Sequence, residues 1–317
     1  MKLARAVGVF LVGVMLSAAA GAQQYLRIGT GGTGGTYYPI GVMIASVVSE
    51  PGKLIATAHA SNGSLGNVIG VASGALESGF SQADVAAWAV SGTGIFKGRP
   101  SLPELRLIAN LYPESLHVVV RKDAGIKTVA DLRGRRVALD EPGSGTLINA
   151  RQVLAAHGLG ETDLRPEYIK PNQASDRFLA GTLDAFFLTS GTPAAAISEL
   201  IASGVDIALL PIDGVPAERM RAESPFLQPG TIPDGTYRGV ASTPTLNVGA
   251  QWITSEKVDA DLIYRVTRAL YSEPAQKALA SGHPKGRLIT LANAVRGAAI
   301  PFHPGALRYY REAGVLK

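Results

Sequence analysis

The glycine-rich run GTGGTGGTYYPI occupies residues 29–40, between a strand-like segment at residues 25–28 and a helical pattern that begins at Pro39. A glycine-rich turn between a strand and a helix lets the backbone approach a ligand closely, and it exposes the unpaired amides of the helix N-terminus. These amides and the positive end of the helix dipole favour an anion. Thr33, Thr36, Tyr37 and Tyr38 add hydroxyl groups beside the glycines. The run therefore predicts an anion-binding loop, and a purely structural turn is the simpler alternative.

The same run contains G-x-G-x-x-G at Gly29, Gly31 and Gly34, so a dinucleotide-dependent enzyme has to be considered. That fold needs an acidic residue about 20 positions later, at the end of the second strand, to hold the ribose. The candidate second strand, residues 54–60, carries no such residue, and the chain has no G-x-x-x-x-G-K-[ST] motif. The dinucleotide-dependent enzyme is therefore a weak alternative, and we expect no cofactor.

Small polar residues recur where later predicted strands end. Such loops lie at residues 61–67, at Gln82, at residues 143–146 and at residues 189–193, and most of them precede a helical pattern. Strands that alternate with helices indicate an α/β fold with a mainly parallel sheet, in which ligands gather at the carboxyl ends of the strands. The loops around Gly34 and Ser144 repeat the same arrangement, which suggests one anion-binding helix end in each of two lobes facing a cleft.

Candidate catalytic groups are sparse at these loops. No G-x-S-x-G motif is present, the five histidines are scattered, and the adjacent acids Asp140 and Glu141 should point apart. A Ser–His–Asp triad using Ser144 or Ser64 has nothing that would fix its geometry. No histidine has metal-ligand spacing with a second one, and there is no cysteine. The pattern favours a ligand-binding protein over an enzyme, without a metal site.

The N-terminus has the features of a secretory signal peptide over residues 1–22. Lys2 and Arg5 precede an apolar run that ends in small residues before Gln23. Export of a chain without cysteine suggests a bacterial periplasm. Removal of these two cations with the signal peptide lowers the formal net charge of +5 by two. The sequence has no dense run of Lys and Arg of the kind that would indicate nucleic-acid binding. We expect a monomer in which lobe 1 comprises residues 23–113 and 240–317, and lobe 2 comprises residues 114–239.

Several motifs in order along the chain resemble the TAXI family of solute-binding proteins of TRAP transporters. They include GTGGTGGTYYP at 29–39, SNGS at 61–64 with Asn67, QADV at 82–85 and LYPE at 111–114. They continue with GSGT at 143–146, GTLDA at 181–185, TPA at 192–194 and HPG at 303–305. The resemblance implies a two-lobed type II periplasmic binding fold that closes on a small organic anion. It also implies delivery of that anion to a TRAP-type permease driven by an ion gradient.

The resemblance further implies a set of ligand-binding residues and a ligand class. The ligand class is a glutamate-like amino acid or a C4–C6 dicarboxylate or 2-oxo acid. Ser81 and Trp88 depart from the usual family pattern near the expected pocket. The residues that match the family motifs are Thr33, Gly35, Thr36, Tyr37, Ser61, Asn62, Ser64, Gln82, Glu114, Ser144, Gly145, Thr146, Thr192 and Pro193.

Two alternatives stay open from the sequence alone. The protein could pass its ligand-bound state to a receptor partner, as a sensor, instead of delivering the ligand to a permease. Glu114, in a predicted loop at residues 111–114, could face the pocket and accept a hydrogen bond from a ligand amine, or could only cap a turn.

Overall fold

The computed structural model describes residues 23–317, so the predicted signal peptide lies outside the described residues. Ten strands lie within this part: Gln24–Gly29 (β1), Leu54–His59 (β2), Ser78–Gln82 (β3), Leu105–Arg121 (β4), Arg136–Ala138 (β5), Arg165–Glu167 (β6), Ala185–Ser190 (β7), Ile207–Leu209 (β8), Gln228–Ile232 (β9) and Thr243–Ser255 (β10). Eleven α-helices accompany them: Tyr37–Val48 (α1), Ser64–Ala72 (α2), Ala83–Ser91 (α3), Gly145–Ala156 (α4), Pro171–Leu179 (α5), Ala195–Ala202 (α6), Gly214–Glu223 (α7), Ala260–Leu270 (α8), Glu273–Gly282 (α9), Leu291–Ala294 (α10) and Pro304–Glu312 (α11).

The strands form one continuous mixed sheet. Its order is β2-β1-β3-β10-β4-β7-β5-β6, with β8 added to β4 and β9 added to β10. The pairs within β2-β1-β3 and within β7-β5-β6 are parallel, as predicted. The long strands β4 and β10 pair antiparallel with each other and with their neighbours. The predicted parallel sheet is therefore present on each side, and two antiparallel strands join the two sides.

Strand β4 corrects the prediction that residues 111–114 form a loop. The strand runs without interruption from Leu105 to Arg121 and includes Pro113, which lies opposite Gly249. The register shifts beside it, so that Leu111 has no direct partner on β10. Proline cannot donate to a sheet ladder and is tolerated near such an irregularity, where regular hydrogen bonding is already interrupted. A proline that reads as a loop residue therefore lies within a strand that crosses between the lobes.

Helices cover both faces of each half of the sheet. In the first half, Trp252 and Ile263 belong to a buried cluster with α1, α8 and α11, and a second cluster packs under α2 and α3. In the second half, one cluster lies under α4 and α7 and another under α5 and α6. The predicted lobe limits at 113/114 and 239/240 fall within β4 and shortly before β10. They stay a prediction.

Candidate functional site

A cleft lies between the two halves, at the ends of the strands. Its walls leave only about 50 Å³ of free space because the lobes contact each other across it. Ten of the fourteen predicted site residues line this cleft: Gly35, Thr36, Tyr37, Asn62, Ser64, Gln82, Glu114, Ser144, Gly145 and Thr146. The structure thus brings together loops that are up to about 110 positions apart in the sequence.

Four helices begin at the cleft wall. Helix α1 starts at Tyr37, α2 at Ser64, α3 directly after Gln82, and α4 at Gly145. Of these four helices, only α4 has its N-terminus capped by a side chain. Ser144 Oγ accepts a hydrogen bond from the amide of Leu147 at 3.0 Å. The amides of the first turn and the helix dipoles favour an anion at these helix ends, although no cationic side chain belongs to the lining.

Two glycines let the loops approach each other. Gly63 has a φ of +87°, and a Cβ built on it would lie 3.6 Å from the Cα of Ser144. A Cβ on Gly145 would overlap the amide oxygen of Gln82 and would lie 2.8 Å from Ser64 Oγ. The helix end of α4 therefore meets the loops of the first lobe only because residue 145 has no side chain.

Several hydrogen bonds join the lobes around the cleft. Thr36 donates its amide to Ser190 Oγ at 3.0 Å, and its hydroxyl donates to the carbonyl of Gly191 at 2.8 Å. The carbonyl of Gly143 accepts from the first amides of α2, at 3.0 and 3.1 Å. Gln82 Nε2 donates to Asn149 Oδ1 at 2.7 Å. The groups that line the cleft thus also hold it together.

Glu114 lies in the cleft wall, inside β4, and is buried. Tyr37 donates its hydroxyl to Glu114 Oε2 at 2.6 Å. Burial raises the pKa of Glu114 to about 8, against the opposing effects of the Tyr37 hydrogen bond and of the positive charge on Lys285. Glu114 therefore does not cap a turn, and it is protonated in the folded protein at neutral pH.

Two further acids near the cleft carry raised pKa values for the same reason. Burial raises the pKa of Asp140 to about 7 and that of Asp84 to about 6. Asp140 lines the cleft with a φ of 71°, a backbone conformation that non-glycine residues adopt mainly where the surroundings impose it. Burial thus makes both carboxyl groups harder to ionise, although at neutral pH it does not keep either of them fully protonated.

Four predicted residues lie outside the cleft lining. Thr33 is exposed, and Ser61 supports its own loop, with Oγ 2.7 Å from Asn67 Oδ1. Thr192 and Pro193 begin the segment before α6, where the Pro193 carbonyl lies 3.2 Å from His283 Nε2. These residues shape the loops around the cleft.

Several residues at the cleft have no part in the predicted set. Asn149 and Lys285 lie outside the lining but act on Gln82 and Glu114 from distant parts of the chain, and only the three-dimensional structure reveals that proximity. Ser190 stands in a hydroxyl-rich loop that the sequence does indicate, but its partner Thr36 is not predictable. The lining residues outside the predicted set are Gly31, Gly32, Gly63, Asp140, Glu141, Pro171, Leu188, Thr189 and Ser190.

Residues 23–317 contain no group of three His, Cys, Asp or Glu side chains placed to hold a metal ion. Within the same residues, no helix has the length and apolar character needed to cross a membrane.

Comparisons with known proteins give the family and the fold. The chain is 36% identical over 74 residues to the aliphatic sulfonates-binding protein of Escherichia coli strain K12, and this match spans 23% of each protein. A solved structure from Bordetella bronchiseptica RB50 is similar with a TM-score of 0.53 and 19% identity, over 91% of this chain and 82% of that one.

The alkanesulfonate-binding protein SsuA of Xanthomonas axonopodis pv. citri, solved with bound MOPS, gives a TM-score of 0.47 and 16% identity, over 90% of this chain and 83% of that one. The fold is the predicted two-lobed α/β fold, with helices on both faces of a mixed sheet. Residues 28–314 match the NMT1-like family over nearly the whole described chain, and the protein belongs to that family.

Proposed function

We propose that the protein is a periplasmic solute-binding protein that holds a small organic anion between its lobes and delivers it to a membrane permease. The observation that carries this proposal is the convergence of four helix N-termini on one cleft. Each N-terminus contributes partial positive charge and amide donors, which favour a carboxylate, sulfonate or phosphate group. In this role the protein binds its ligand without transforming it.

The side chains of the cleft support the same ligand class. Hydroxyl and amide groups of Thr36, Ser64, Gln82 and Thr146 supply neutral hydrogen-bonding groups around the helix ends. Glu114 keeps its proton at neutral pH, so that it adds no negative charge beside the ligand. A protonated carboxyl can also donate a hydrogen bond to an anion.

The resemblance to the TAXI family supports a dicarboxylate, a 2-oxo acid or a glutamate-like amino acid as ligand and a TRAP-type permease as partner. A second candidate is an alkanesulfonate delivered to an ABC-type transporter. The local identity to the aliphatic sulfonates-binding protein of Escherichia coli favours it. Helix N-termini bind a sulfonate as well as a carboxylate. The two candidates therefore differ in the size of the ligand and in whether it carries a second acidic group.

A thermal-shift screen of protein refolded without ligand tests the proposal. The panel contains C4–C6 dicarboxylates, 2-oxo acids, acidic and neutral amino acids, short alkanesulfonates and NAD. A ligand at a hundred times its dissociation constant adds about 2.7 kcal/mol to the free energy of unfolding. Stabilisation by a carboxylate or a sulfonate supports an anion binder and selects between the two candidates. Stabilisation by NAD alone would overturn the proposal.

A matched pair of glycine variants tests whether the stabilising ligand binds in the cleft. Gly145→Ala places a methyl group against Gln82 across the cleft, so the ligand-induced shift should be lost. Gly160→Ala is the control, because residue 160 has a φ of −124° and its added Cβ would have no neighbour closer than 3.8 Å. A ligand that stabilises both variants equally binds outside the cleft and contradicts the proposed site.

A further inference from the structure

A second cavity, here called the hinge cavity, lies against the strands that join the lobes. It encloses about 490 Å³, roughly the size of small-molecule pockets in proteins. Its floor is formed by β4 and β10 beside the register shift at Leu111. The segment between α7 and β9 forms one wall, and the segment from Leu288 to Gly297 forms the other. The hinge cavity thus takes its walls from both halves of the molecule.

The lining of the hinge cavity is mostly apolar. Leu111, Pro225, Phe226 and Leu288 contribute apolar surface, and Leu288 keeps 36% of its surface exposed. An exposed leucine beside an open cavity leaves apolar surface in contact with water. A ligand with an apolar body would cover this surface and exclude the water from it.

A cation and several amides supply the polar part of the lining. Arg296 lines the hinge cavity, and no carboxylate of residues 23–317 pairs with it within 4.0 Å. The amides of Asn110 and Asn247 lie in the floor and that of Asn293 in the wall beside Arg296, and Asn110 Oδ1 is buried without a hydrogen-bond partner. No acidic residue belongs to the lining. An arginine fork matches a carboxylate in a bidentate geometry.

We propose that the hinge cavity is a second ligand site, which binds a small amphipathic carboxylate with its head group on Arg296 and its apolar chain along Leu288 and Phe226. This site is separate from the cleft, because the two share no lining residue. The proposal therefore does not depend on which ligand the cleft binds.

Isothermal titration of the protein with octanoate tests this site. We expect saturable binding with one octanoate per chain, and binding at least tenfold weaker for octanol, which lacks the carboxylate. Arg296→Ala should weaken octanoate binding at least tenfold, and Arg296→Lys should restore part of it because the charge returns. Leu288→Trp should weaken binding by narrowing the cavity at its apolar wall. Arg99→Ala, at an exposed arginine far from the lining, is the matched control and should bind as the unmodified protein does.

Two results would overturn the proposal. One is the absence of saturable octanoate binding to the unmodified protein. The other is octanoate binding that survives both Arg296→Ala and Leu288→Trp, which would place the ligand elsewhere. Thr146→Ala separates the two sites, since Thr146 lines the cleft and lies outside the lining of the hinge cavity. If this variant alone lost octanoate binding, the ligand would lie in the cleft, and the hinge-cavity assignment would be wrong.

Discussion

Replacing Glu114 with glutamine should remove most of one pH-dependent contribution to stability. Glu114 is buried in the cleft wall, where burial raises its pKa from 4.5 to about 8. Between these two values the folded protein holds a proton that the unfolded chain releases, so the free energy of unfolding falls as the pH rises from 4.5 through 8. A glutamine has nearly the same volume, carries no ionisable proton, and can still accept the hydrogen bond that Tyr37 donates.

The size of the effect follows from the two pKa values. For a single group that titrates at 4.5 when unfolded and at about 8 when folded, the free energy of unfolding falls by about 2.5 kcal/mol between pH 5 and pH 7. Asp140 and Asp84 change stability in the same direction, and His117, whose pKa burial lowers to about 4, changes it in the opposite direction. The difference between the unmodified protein and Glu114→Gln cancels these contributions, because both proteins share them.

Urea denaturation at pH 5, 6 and 7 measures this difference. The unmodified protein should lose about 2.5 kcal/mol more than Glu114→Gln across this range. Glu312→Gln is the matched control, since Glu312 accepts a hydrogen bond from Tyr264 at 2.6 Å on the protein surface. Parallel pH profiles for the unmodified protein and Glu114→Gln would refute the reasoning. They would mean that Glu114 is ionised in the folded protein at neutral pH, with Lys285 and Tyr37 stabilising its charge.

Three further substitutions test other contacts of the structure. Asn67→Ala leaves two backbone carbonyls without the amide that donates to both at 2.7 Å, so urea denaturation should report a loss of about 2–5 kcal/mol. Ser144→Ala removes the N-cap of α4 and should lower the free energy of unfolding by about 1 kcal/mol. Ser144→Asp should restore the lost stability, because aspartate also caps helices. An alanine variant as stable as the unmodified protein would contradict the role of Ser144 as the cap. Gly145→Ala should separate the lobes without unfolding them, which small-angle X-ray scattering would detect as a larger radius of gyration while circular dichroism still reports a folded chain.

The helix ends of the cleft could be predicted because their signals are local. A run of glycine, serine and threonine between an apolar strand and a helical pattern is enough to predict a helix N-terminus after each of the loops around Gly34 and Ser144. The alternation of strands and helices then brings each of these ends to the carboxyl edge of the parallel strands in its own half of the sheet. Each step depends on residues that are near one another in the chain.

The contacts across the cleft could not be predicted in this way. Glu114 reads as a loop residue because a proline precedes it, yet antiparallel pairing with β10, more than a hundred positions later, makes it part of a long strand. Asn149 reads as an ordinary helix residue, and only the approach of the lobes brings its amide to Gln82. Lys285 lies in a C-terminal segment that no local motif connects with the cleft.

The amides that would attract an anion already have partners in this arrangement of the lobes. The first amides of α2 donate to the carbonyl of Gly143, and the amide of Thr36 donates to Ser190. Neutral hydrogen bonds of this kind contribute about 0.5–1.5 kcal/mol each, whereas bonds to a charged acceptor are roughly twice as strong. About 50 Å³ of free space is too little for an amino acid or a dicarboxylate, so an entering anion has to separate the lobes. We therefore expect a bound anion to replace these neutral contacts, and the stronger bonds to compensate for the cost of opening the cleft.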